Sequence, residues 1–157
     1  MDRAEEGLLP GLGLLMEARA RGHCLCGAVG YEVRGPLRDI LLCHCEECRR
    51  WGGYVGAFTA TRLEHFTLVE EHGLRWADSP RSDRHAKRGF CSKCGSSLFW
   101  QPAGSERIHI AAGTLDPPTG LEVAGHAYTH QAGDYDELLD DERPKDSELA
   151  AMELRWT

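Results

Sequence analysis

The sequence predicts an all-β domain tied together by metal-binding cysteines, and three observations lead there. Short stretches rich in strand formers recur at roughly 8- to 12-residue intervals between turn residues. Seven cysteines fall into three groups, Cys24/Cys26, Cys43/Cys45/Cys48 and Cys91/Cys94. No internal repeat or low-complexity segment interrupts the pattern. At 157 residues the chain is one domain by size, large enough for a real core, with metal to hold its loops.

Residues 1–19 read as a loosely ordered extension. Leu8 to Leu15 looks at first like a signal sequence, but Asp2, Glu5 and Glu6 precede it where a basic start is needed, and Pro10 interrupts the apolar run. Met16 is an alternative translation start. The domain proper spans 20–145, with strands expected at 28–33, 37–42, 54–61, 65–70, 74–77, 85–90, 97–101, 107–112 and 125–130. Gly35-Pro36 closes the first of these, Trp51-Gly52-Gly53 reads as a turn, and Glu71-His72-Gly73 offers a hairpin connection. In the tail, 146–157, Ser147 is placed to cap a short helix with Leu149, Met152 and Trp156 on one face. The aromatics Trp51, Phe58, Trp76, Phe90, Phe99 and Trp100 are expected in the core.

The cysteines divide as four plus three. Cys24-Leu25-Cys26-Gly27 and Cys91-Ser92-Lys93-Cys94-Gly95 together make one closed four-thiolate site, each pair ending in a glycine suited to the φ > 0 turn of a zinc knuckle. Cys43, Cys45 and Cys48 crowd three thiols into six residues. With Zn–S bonds near 2.3 Å, sulfurs on one tetrahedral ion lie about 3.8 Å apart, which a tight turn can satisfy. No fourth ligand stands at a standard spacing, and three protein ligands with a position left over is the arrangement of a reactive zinc. Disulfides are the alternative; an odd number of thiols and pairs only one residue apart speak against them. Reduced thiols as ligands point to the cytoplasm.

With these residues laid out, the chain resembles the glutathione-dependent formaldehyde-activating enzymes and the related centromere protein V group. Gly22 to Tyr31 is similar to that family's opening. The cysteine triple with Arg49-Arg50 and Gly52-Gly53 is similar to its central motif, Cys91 to Leu98 to its second knuckle, and Gly113-Thr114-Leu115-Asp116 with His126 to its closing segment. The resemblance implies a β-tent, Mss-four-like fold. It also implies a structural zinc on Cys24, Cys26, Cys91 and Cys94, a second, labile zinc on Cys43, Cys45 and Cys48, and carbon–sulfur lyase chemistry on glutathione–aldehyde adducts. In the tail, Asp140 and Pro144 match, whereas Tyr135 stands where the family has tryptophan.

A zinc held by three thiolates is electron-rich and better suited to a thiol than to making hydroxide. A free thiol titrating near 8.5 is only about 3% thiolate at pH 7, and coordination removes that proton outright. Glutathione sulfur at the fourth position, adding to or leaving an aldehyde carbon, is the expected chemistry. Arg49 and Arg50 are candidates to grip a glutathione carboxylate through paired hydrogen bonds. Glu46, Glu47, His85, His109, His126 and His130 are each able to supply a fourth ligand or a proton. His44, between two ligands, points away from the metal and is either a support from outside the ligands or a structural residue.

The competing reading is a non-catalytic zinc module that binds a protein partner. A nucleic-acid finger is disfavoured because the formal charge is -7 and no basic face is visible; residues 134–148 hold eight acids and two bases, leaving the body near neutral. No apolar run approaches the roughly 20 residues that span a bilayer.

Overall fold

A computed structural model describes residues 17–138 and 141–157; the expectations for 1–16, including the Met16 start, and for Asp140 lie outside these. Ten strands follow among the described residues: β1 (Ala20–His23), β2 (Gly30–Val33), β3 (Ile40–Cys43), β4 (Gly56–Arg62), β5 (Phe66–Glu70), β6 (Leu74–Asp78), β7 (Lys87–Cys91), β8 (Ser97–Gln101), β9 (Arg107–Ala111) and β10 (Val123–Ala127). Strands β1, β2 and β5 make a three-stranded sheet, and the others a seven-stranded sheet in the order β10-β3-β4-β9-β8-β7-β6. The all-β expectation holds.

The two sheets share one core. Their strands bury alternate or consecutive apolar residues, so Tyr31 and Val33 of β2, with Val29 just before it, meet Leu98, Phe99, Ile108 and Ile110 from the large sheet. Phe99 lies edge-on to Tyr31 and Phe66, each at 5.3 Å between ring centres. Each such side chain stabilises the fold by about 1.5–3 kcal/mol on burial. The Tyr31 hydroxyl is satisfied by Thr114 Oγ1 at 2.7 Å.

Most strands fall within two residues of the expected bounds, and the departures have local causes. The stretch read as a turn at 51–53 is the end of a helix, α1 (Glu46–Gly52). β1 was not anticipated because its sequence Ala-Arg-Gly-His has no strand-forming character; it exists by pairing antiparallel with β2. The tail helix α2 (Asp146–Ala150) has Lys145 rather than Ser147 at its N-cap and is too short to align the three expected residues. Leu149 is buried, Met152 is exposed, and Trp156 instead makes a β-bridge with Arg38. Phe99 is a core aromatic as expected, but Trp51 and Trp76 are 36% and 40% exposed.

Strand β9 carries one residue with a pH consequence. His109 packs edge-on to Trp100, and burial, reinforced by Arg38, Arg84 and Arg107, pushes its pKa down to about 3 from 6.5. The folded chain therefore keeps this ring neutral where the unfolded chain takes up a proton. The associated stability is full above pH 6.5 and is lost as pH falls toward 3, by about 1 kcal/mol between pH 7 and 5.5. Urea unfolding at those two pH values should show this loss in the native chain and a smaller one in His109→Phe. Equal acid sensitivity in both would contradict it.

Candidate metal centre

The first cysteine cluster forms where the two sheets meet. Cys24 and Cys26 follow β1, Cys91 ends β7, and Cys94 lies on the turn after it. Gly27 and Gly95, each directly after the second thiol of its pair, both take φ of 79°, the left-handed turn expected of a knuckle. The Val29 N–H donates to Cys24 Sγ at 3.3 Å, and the Leu25 N–H donates to Ser96 Oγ, joining the two knuckles. All four sulfurs lie within 4.8 Å of one another. The 3.6 Å and 3.8 Å separations of Cys26 Sγ from those of Cys24 and Cys91 match the edge of a tetrahedral zinc–thiolate site. None of the seven cysteines is in a disulfide.

The second cluster is built by the junction of β3 with α1. Cys43 ends the strand and Cys45 caps the helix, its Sγ accepting the Cys48 N–H at 3.4 Å. Glu46 and Glu47 in the first turn and Arg49 and Arg50 in the last match the helix dipole, and Gly53 closes it in the left-handed region. One helical turn thus brings Cys48 back over Cys45. The three sulfurs lie within 4.8 Å of one another, and no other cysteine, histidine or carboxylate of the described residues joins them. Both clusters suit a soft divalent ion such as zinc. Hydrogen bonds from Cys43 and Cys48 hold the Cys45 thiol down to about 2, whereas Cys43, bonded to both partners and buried, is pushed up. Loading a metal would therefore release protons from the cluster.

Beside the triple, Arg88 of β7 is 3% exposed and lies beneath α1. Its Nη2 donates to Cys48 Sγ at 3.8 Å and to Glu47 Oε2 at 3.4 Å, and its Nε to Ser79 Oγ at 3.1 Å. Above it opens a cleft of about 400 Å³ lined by Glu46, Glu47, Arg50, Trp51, Pro80 and Arg88.

Residues 19–131 match the family model described as glutathione-dependent formaldehyde-activating enzyme. The chain belongs to this family. A Schizosaccharomyces pombe protein named as an uncharacterized lyase is 32% identical over 80 residues, covering 50% of this chain and 55% of that protein. The chain thus spans about half the length of the curated relative it matches. A solved structure of a Rhodobacter sphaeroides protein is similar with a TM-score of 0.53 and 28% identity, covering 68% of this chain and 98% of that one.

In this formaldehyde-activating family member the remaining candidates separate clearly. Arg50 is exposed and paired with Glu46 at 2.8 Å, on the wall of the cleft. Arg49 is half-buried, and its Nε is buried without a hydrogen-bond partner among the described residues. Glu46 and Glu47 are engaged by Arg81, Ser79 and Arg88, and His85 and His130 are exposed. None of these joins the sulfurs, and neither does His109 against Trp100.

His44 is directed away from the sulfurs and is held by partners the sequence did not point to. Its Nε2 meets His126 Nδ1 at 2.9 Å, its Nδ1 meets Asp136 at 3.1 Å, and His126 Nε2 meets Asp141 at 2.8 Å. Burial pushes the His44 pKa down, against the pull of the Asp136 carboxylate. Tyr54, stacked at a tilt on Tyr135, also reaches Asp136. The acidic tail is thereby fastened against the β3–α1 junction. Only the run of carboxylates at 134–142 hinted at this, and a solvated face explains such a run equally well.

Proposed function

We propose that this chain is a zinc-dependent carbon–sulfur lyase that forms or cleaves glutathione–aldehyde adducts of the S-hydroxymethylglutathione type. The observation that carries the reading is the Cys43/Cys45/Cys48 cluster: three sulfurs converge on one point and no fourth ligand of the described residues completes it. Zinc bound there supplies an open Lewis-acid position at which a thiol loses its proton at neutral pH. The chain's own residues do the rest. The β3–α1 junction holds the thiols in place through the Cys45 cap and the His44–His126 contact. Arg50 at the rim offers a guanidinium for a glutathione carboxylate, exchanging its exposed bond to Glu46. Arg49 is the second candidate, with a donor free to take an acceptor. The family match supports glutathione as the thiol, and the lyase name of the yeast relative supports cleavage without water over hydrolysis.

Cobalt substituted into both clusters tests this directly. Adding glutathione should change the absorption of the cobalt at the triple and leave that of the four-cysteine cluster as it was. A spectrum indifferent to glutathione at millimolar concentration would end the proposal and favour a module whose zinc serves only the fold.

A further inference from the structure

Arg88 is the buried charge that the reaction does not explain. A guanidinium taken out of water is costly unless it is paired and hydrogen-bonded. Here Nε is held by Ser79, while Nη2 is divided between the Glu47 carboxylate and the Cys48 sulfur. The Trp51 ring covers the guanidinium, with its centre 5.8 Å from Cζ. Glu47 is itself fixed, accepting from Ser79 Oγ at 2.6 Å and from the Arg81 N–H at 2.8 Å. Arg88 and Cys48 are 40 residues apart in sequence and stand on different elements, so β7 and α1 together hold this geometry.

Three thiolates on a divalent ion leave a net negative charge, and the Cys48 thiol and the guanidinium beside it are both buried. We infer that Arg88 is a positioning residue of the second metal centre, its guanidinium offsetting that charge through Cys48 Sγ, and that Glu47 sets how much of the offset reaches the sulfur. The inference rests on the reading of the triple as a metal centre. A hydrogen bond to a ligand sulfur draws electron density from it, so the ion becomes a stronger Lewis acid while the anionic cluster becomes easier to form.

Two substitutions should therefore act with opposite sign. In Arg88→Met the second site should lose roughly 10- to 100-fold in metal affinity by chelator competition, the usual effect of removing such a partner. Its sulfur-to-cobalt band should move to lower energy. In Glu47→Gln the amide oxygen keeps the Arg81 N–H, while the amide nitrogen takes the place of Oε2, donates to Ser79 Oγ and releases Nη2 toward Cys48. Affinity should then rise and the band move to higher energy. The four-cysteine site is the internal control and should not change in either variant. If Arg88→Met does not fold, the direction of Glu47→Gln decides alone. Glu47→Gln with lowered affinity or an unmoved band would overturn the inference and make Arg88–Glu47 a structural ion pair. Cobalt absent from the triple in the native chain would remove the metal-centre reading, and the inference with it.

Discussion

Cys94→Ser should give aggregated or metal-poor protein, because it opens the cluster that joins the two sheets. Cys24 and Cys91 are both fully buried within the core, one beside the three-stranded sheet and one at the end of β7. Cys26 and Cys91, in contact through their sulfurs, are 65 residues apart in sequence. Metal at such a site is bound only by the folded chain, so its binding free energy is folding free energy. Structural zinc contributes about 10–16 kcal/mol in this way. Whole domains are stable by only about 5–15 kcal/mol. Serine leaves a weaker ligand in place of a thiolate, so even partial loss consumes the margin. Zinc content and sedimentation of the purified variant provide the check. A soluble variant with the native melting temperature would show that the apolar core stands without this metal.

Cys45→Ser should behave in the opposite manner: folded, carrying one zinc, and without thiol-dependent activity. The triple lies on one strand end and one helical turn, so losing its ion releases little long-range constraint. Cys45 has a second duty as the cap of α1, and serine performs it well, since its Oγ can accept the same Cys48 N–H. The helix should therefore persist. With one of three ligands gone, the turnover of a glutathione–aldehyde adduct should fall by roughly 100-fold or more, the upper end of what even outer-shell losses cost a metal centre. Metal analysis, a melting curve and an adduct assay on one preparation decide the matter. Undiminished turnover in a soluble one-zinc variant would sink the catalytic reading. Damage equal to that of Cys94→Ser would favour a purely structural role for all seven thiols.

The contrast between the two substitutions was already legible in the sequence, because each metal cluster is made of short local motifs. A thiol one or two residues from another, followed by glycine, needs no knowledge of the fold, and Gly27 and Gly95 took the backbone angle that this pattern asks for. Strands such as Ser97–Gln101 were equally readable, since a run of strand formers between turn residues is a local signal. Helix α1 carried its signals too, in Glu46-Glu47 ahead of Arg49-Arg50 and in Gly53. Its last residues read as a turn instead, because cysteine is an unusual cap and Gly52-Gly53 is a strong local turn signal.

What surrounds the triple was decided only by the tertiary structure. β10 pairs parallel with β3, setting Ala127 beside Cys43 and bringing His126 to His44 from 82 residues away. The β6–β7 hairpin places Arg88 beneath Cys48, and the tail returns Asp136 and Asp141 to the two imidazoles. No spacing rule foretells such pairings: a histidine, arginine or aspartate has the same local preferences whether it faces solvent or a buried sulfur. The sequence by itself determined which residues could hold the metals, since those ligands lie together in short motifs. Which charges and protons stand around them depended on the order of strands in the large sheet, a property of the whole chain's packing.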